Sequence, residues 1–179
     1  MEDQRIRMLL VDDHAMFRRG LASLISTQRE LQVVGEASDG LEAVEKGREL
    51  MPDMVLMDIR MPRCDGLRAI KLLHREFPSV KVVMLTVSDE EADLFEALKS
   101  GAQGYMLKDM TPETLFELIR GVTRGETPLS PAVATQVLKE FRRQAHQNGH
   151  SSDPAVDLSP RENEILQMVA NGASNKEIA

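Results

Sequence analysis

Cysteine is almost missing from this 179-residue chain, which holds Cys64 alone. A lone thiol closes no intrachain disulfide, and such cysteine usage fits a reducing, cytoplasmic setting. Long hydrophobic runs are missing too. The opening MEDQRIRMLLVDD has an apolar stretch of only about five residues flanked by acids, too short and wrongly flanked for a signal peptide or a membrane span. Positive charge is not in excess either: 22 basic against 29 acidic residues give −7. That balance argues against nonspecific attraction of the whole chain to nucleic acid or anionic lipid, while a local basic face stays allowed. Internal repeats and low-complexity tracts are also lacking. What remains is globular in composition, 42% hydrophobic and 28% charged, which excludes wholesale disorder, collagen and coiled coil. At ~150 residues per domain the length suggests one full domain plus something small.

Five short apolar runs punctuate the first two-thirds: IRMLLV, LQVVGEA, MVLM, VKVVML and GYML. Their length and branched content read as strands buried on both faces. Between and after them lie stripes of helical period: Phe17, Leu21, Leu24 and Ile25; Leu41, Val44 and Leu50; Leu67, Ile70 and Leu73; Leu94, Phe95 and Leu98; Leu115, Leu118, Ile119 and Val122. Strand then helix, five times over, predicts an α/β fold, a doubly wound five-stranded parallel sheet with right-handed crossovers. Thr111 as N-cap, Pro112 at N1 and Met110 stapling against Leu115 start the fifth helix.

The first domain is therefore expected over residues 1–124. Residues 125–157 read as a linker, with one helix suggested by Val133, Val137 and Leu138 and a polar, turn-rich remainder. Order returns at Leu158. Ser159, Pro160 and Glu162 make a capping box, Ile165, Leu166, Val169 and Ala170 a stripe, and Gly172 a stop; Ser174 with Glu177 opens a second helix. Residues 158–179 are thus expected to form part of a small all-α domain. No segment is a basic clamp for nucleic acid.

In an open parallel sheet, ligands bind beyond the carboxyl ends of the strands, where the strand order reverses. The first strand runs out into Asp12 and Asp13, the third into Asp58, the fourth into Thr86 and the fifth into Lys108. Each taken alone reads equally well as a cap, a turn former or a solvated strand end. Together they are three acids, a hydroxyl and an ammonium at one sheet edge. Crowded carboxylates repel unless a cation compensates, and an all-oxygen site suits Mg²⁺, which commonly shares its shell with phosphate.

The motifs VDDH (11–14), MDIRMPRCDG (57–66), LTVS (85–88) and GYMLKD (104–109), with spacings of 46, 28 and 50 residues among Asp12, Asp58, Thr86 and Lys108, resemble the flavodoxin-like receiver domain of bacterial response regulators. The segment LSPRENEILQMVANGASNKEIA resembles the opening of the helix-turn-helix domain of the NarL/LuxR class. The resemblance implies a two-component transcription regulator rather than an enzyme. Asp58 would be the phosphoacceptor for a sensor histidine kinase. Asp13 would hold Mg²⁺ directly, Asp12 directly or through water, and the backbone carbonyl of Arg60 would add an oxygen. Lys108 and Thr86 would stabilise the arriving phosphoryl group, and Tyr105 would shift with Thr86 on activation. Phosphorylation would release the output domain or promote a homodimer. DNA would be bound by the longer protein and not specifically by these residues, which stop short of a recognition helix.

Asp109 stands where many receivers have proline after a cis bond, which leaves the loop after Lys108 open. His14 reads as a cap or helix start, since no second histidine has a ligand spacing. His74, His146 and His150 read as surface residues, Cys64 as a tolerated loop residue, and the eleven methionines as core filler. Two other classes fit less well. An aspartyl-phosphate hydrolase needs an acid where Arg60 stands, and an FMN carrier needs a phosphate cradle where DDHAMF stands.

Overall fold

A computed structural model describes residues 5–87, 91–126, 134–135 and 137–139. The expected helix-turn-helix segment 158–179, most of the linker, and His146 and His150 lie outside the described residues. Residues 134–135 and 137–139, in the stretch assigned to a linker helix, are helical. The chain divides into two compact units, Met1–Pro128 and Leu129–Ala179.

In the first unit strand and helix alternate: β1 (Ile6–Val11), α1 (Ala15–Ile25), β2 (Leu31–Ala37), α2 (Gly40–Leu50), β3 (Met54–Asp58), α3 (Gly66–Glu76), β4 (Lys81–Thr86), α4 (Glu91–Lys99), β5 (Gly104–Leu107) and α5 (Pro112–Thr123). The strands form one parallel sheet ordered β2-β1-β3-β4-β5. This is the doubly wound, five-stranded parallel sheet expected from the sequence.

Alternation along each strand sends successive side chains to opposite faces. Met8, Leu10, Met54, Leu56, Val83, Leu85 and Met106 pack with Leu21 and Ile25 of α1 and with Leu115, Leu118, Ile119 and Val122 of α5. Their neighbours Leu9, Val11, Val55, Met57, Val82, Met84 and Tyr105 are equally buried and point to the other face, on the side of α2, α3 and α4. Burying each such large side chain contributes about 1.5–3 kcal/mol. Having both faces covered explains why the strands read as unbroken apolar runs.

The helix starts follow from short polar side chains. The Asp39 carboxylate accepts the N–H groups of Leu41 and Glu42, that of Asp65 accepts Arg68 N–H, and the Thr111 hydroxyl accepts Thr114 N–H ahead of Pro112. Met110 packs against the core beside α5, as its place before the cap requires. Two expectations need correction. Leu41 is half exposed, and beside the expected Val44 the helix α2 buries Gly40, Ala43 and Gly47. A Cβ on Gly40 would stand 2.7 Å from both Ala69 Cβ and Cys64 Sγ, so α2 approaches α3 too closely for a large side chain. Cys64 accordingly is not merely tolerated in a loop: it is buried in that contact, and burial pushes its thiol pKa up.

Candidate functional site

The chain runs from β1 outward to β2 and then crosses back to β3, so the order reverses between β1 and β3. Register pairs Val11 with Met57. One residue further along, the strand ends place Asp12 beside Asp58. On the far side of β3, Thr86 of β4 pairs with Leu107, and Lys108 N–H donates to the Thr86 carbonyl at 2.7 Å. Four residues scattered through the sequence thereby reach one sheet edge.

Lys108 is the centre of that edge. Its Nζ lies 2.7 Å from Oδ2 of both Asp12 and Asp58, and all three side chains are at most 8% exposed. It hydrogen-bonds to Asp58 and pairs as closely with Asp12, and both contacts favour its charged form. The Phe17 ring centroid lies 4.8 Å from the same ammonium, a cation–π contact. Asp58 Oδ1 accepts the N–H of Ile59 at 2.8 Å. The backbone there is crowded, because a Cβ on Gly66 would fall 2.2 Å from the Asp58 carbonyl oxygen. Glycine is therefore required where α3 begins.

Burial, reinforced by the charge of Asp12, raises the Asp58 pKa despite the opposing pull of Lys108. Burial also acts to lower the Lys108 pKa, but the two carboxylates outweigh it and hold the ammonium above its ordinary value. Lys108 is thus a fixed cation, and Asp58 a carboxylate more basic than a solvated one.

Asp13 is one-third exposed at the rim. His14 starts α1 as its N-cap residue, yet among the described residues its side chain makes no capping hydrogen bond. Its backbone N–H donates to Asp12 Oδ1, and its Nδ1 turns to Asp13 Oδ1 at 3.0 Å and Asp12 Oδ1 at 3.6 Å. Arg18 donates to the Asp12 carbonyl and to Glu36 Oε2, bracing the loop after β1. Thr86 and Tyr105 are fully buried. The Arg60 guanidinium reaches Asp93 of α4 at 3.3 Å. Every peptide bond among the described residues is trans, that before Asp109 included. A cleft of about 570 Å³, lined by His14, Met16, Phe17, Val87, Leu107, Lys108 and Asp109, opens over this edge, with Met16 and Val87 exposed.

Ligand atoms of Asp12, Asp13, His14 and Asp58 lie within 4.8 Å of one another. Among the described residues, three carboxylates gathered around the ammonium of Lys108 leave this edge with net negative charge. Such a donor set fits a hard divalent cation. Sequence reasoning placed Asp12, Asp13, Asp58, Thr86 and Lys108 at this edge; it missed Phe17 and Arg18 as supports and the turn of His14 toward the acids. Phe17 and Lys108 are 91 positions apart and belong to different motifs, so no local pattern announces their contact.

Comparison with known protein families matches residues 8–120 to the response regulator receiver domain and residues 156–179 to the luxR family of bacterial regulatory proteins. The transcriptional regulatory protein LnrK of Bacillus subtilis (strain 168) is 42% identical over 178 residues, covering 97% of this chain and 81% of that protein. The oxygen regulatory protein NreC of Staphylococcus aureus (strain bovine RF122 / ET3-1) is 40% identical, again covering 97% and 81%. Among solved structures, a LuxR-family two-component response regulator from Aurantimonas sp. SI85-9A1 superposes with a TM-score of 0.73 at 31% identity, covering 76% of this chain and 98% of that one. The response regulator ChrA of a heme-sensing two-component system matches at 0.64 and 36% identity, covering 98% and 80%.

Proposed function

Because the chain belongs to the response regulator receiver family and carries a luxR-type DNA-binding segment, it is a two-component transcriptional regulator, and we propose that Asp58 is its phosphoacceptor. The observation that carries this reading is the single ammonium of Lys108 at 2.7 Å from both Asp12 and Asp58, since it puts a basic carboxylate, a fixed cation and a second acid within reach of one incoming group.

An Asp58 carboxylate oxygen attacks the phosphorus of a sensor kinase's phosphohistidine. The new O–P bond forms as the P–N bond breaks, and the imidazole departs with the bonding pair. Lys108 passes from the carboxylate to a phosphoryl oxygen, and the Thr86 hydroxyl turns to another, so that charge is met by groups already in place. Asp12, Asp13, Asp58 and the backbone carbonyl of Arg60 would hold Mg²⁺, which when bound neutralises charge on the transferring group. The cleft beside Lys108, with its exposed Met16 and Val87, is the approach for the kinase. Tyr105, on β5 one strand over from Met84, moves with Thr86 as that hydroxyl changes partner.

The domains follow as 1–124 for the receiver, 125–157 for the linker and 158–179 for the start of the helix-turn-helix segment. Phosphorylation of the first controls DNA binding by the last, through release or dimer formation. Acetyl phosphate with Mg²⁺, read by intact mass, tests the chemistry. Wild type gains one phosphoryl group and Asp58→Asn gains none; equal modification of both refutes the assignment.

A further inference from the structure

The receiver reading accounts for the acids of the site but leaves His14 without a task. As the N-cap residue of α1, it would ordinarily satisfy helix N–H groups, yet its side chain does not. Nor does packing hold it, since the side chain is 73% exposed. What places the ring is the turn in which Asp12 Oδ1 takes the His14 N–H at 2.8 Å, and it places the ring on the carboxylates. Ligands at ~2.1 Å from an octahedral ion stand about 3.0 Å apart when adjacent. Nδ1 of His14 is 3.0 Å from Asp13 Oδ1 and 3.6 Å from Asp12 Oδ1, the separations of donors sharing one ion.

We infer that His14 is a nitrogen ligand of the cation site, giving it a preference for a borderline transition ion such as Co²⁺ over Mg²⁺. The inference rests on the reading of Asp12, Asp13 and Asp58 as a divalent-cation site. Its physical basis is donor type. Mg²⁺ binds carboxylate, carbonyl and water oxygens, whereas imidazole suits the first-row transition ions, whose affinity for a mixed N/O site rises from Mn²⁺ through Co²⁺ to Ni²⁺. Asp12, Asp13 and Asp58 supply the charge, with ligand atoms within 4.8 Å of that of the imidazole, and the imidazole at the rim adds the donor type that separates the transition ions from Mg²⁺.

The test is calorimetric titration of the full chain with Mg²⁺ and with Co²⁺, together with the visible absorption of bound Co²⁺, for wild type, His14→Ala and His14→Gln. Wild type binds Co²⁺ more tightly than Mg²⁺, and excess Mg²⁺ displaces the Co²⁺. Loss of a donor costs about tenfold or more in affinity, by analogy with the loss of groups that merely orient ligands. Both variants therefore lose about that factor in Co²⁺-to-Mg²⁺ preference, with a shifted Co²⁺ spectrum. An unchanged preference and spectrum in both variants overturns the inference, as does Co²⁺ that Mg²⁺ cannot displace. Phosphorylation of wild type by acetyl phosphate and Mg²⁺ is scored separately: if it succeeds while the preference is unchanged, only the role of His14 falls, and if it fails, the phosphoacceptor reading falls instead.

Discussion

Replacing Lys108 with alanine removes the cation that, among the described residues, holds two buried acids together, and the cost can be worked from the site. Ligand atoms of Asp12 and Asp58 lie within 4.8 Å of each other. Two unit charges at that distance repel by about 3.5 kcal/mol at an effective dielectric of 20. Stripping one partner from a buried pair costs about 3–5 kcal/mol in general. Lys108→Ala should therefore lose about 3 kcal/mol of stability at neutral pH, measured by urea unfolding followed by circular dichroism.

The loss is relieved in two ways. Asp58 already has a raised pKa, and without Lys108 it rises further above its unfolded value. A carboxyl raised on folding takes up protons before the unfolded chain does, so its penalty grows as pH climbs through the unfolded pKa and is complete above the folded one. The variant then closes on wild type as pH falls toward about 4. Mg²⁺ at a hundred times its dissociation constant adds about 2.7 kcal/mol to any state that binds it, and the variant, with no ammonium competing for the acids, gains more from it than wild type. A neutral-pH loss below about 0.5 kcal/mol, the size of an ordinary surface change, would refute the proposition that Lys108 neutralises this pair.

Other substitutions probe the supports. Gly66→Ala should cost about 1–3 kcal/mol, because its Cβ meets the Asp58 carbonyl oxygen at 2.2 Å and overpacking against backbone outweighs better helix propensity; a melting temperature equal to wild type contradicts the stated crowding. Asp39→Ala removes the cap on Leu41 and Glu42 and the partner of Arg63, a loss of about 1–2 kcal/mol in chemical denaturation, whereas Asp39→Asn keeps most of the cap. The Glu42 carboxyl is held down to about 2 by hydrogen bonds from Lys46 and then Ser38. Its stabilisation is full above the ordinary value of 4.5 and lost as pH falls toward 2, so Glu42→Gln should flatten that limb of the acid-unfolding curve.

Much of the architecture was legible because its signals are local. Apolar runs such as IRMLLV are unbroken where both faces are covered, and Thr111-Pro112 announces a helix start through the few atoms of one turn. The α2 surface was less legible. Periodicity favours Leu41, but the helix packs through Gly40, Ala43 and Gly47, and hydropathy ranks glycine too low to reveal a close approach. His14 shows the same limit: its place at the head of α1 follows from the sequence, while the direction of its ring depends on where Asp12 and Asp13 point.

The sequence by itself determined the alternation of strands and helices, the parallel sheet, and which residue types stand at the strand ends, because these depend on periods of two and 3.6 residues and on the rule that ligands gather where strands finish. Tertiary structure alone decided that Lys108 bridges Asp12 and Asp58, that Phe17 stacks on it and that Arg18 braces the first loop. Those contacts join residues that no local pattern links, and only the strand register and the packing of α1 against the sheet bring them to within a hydrogen bond of one another.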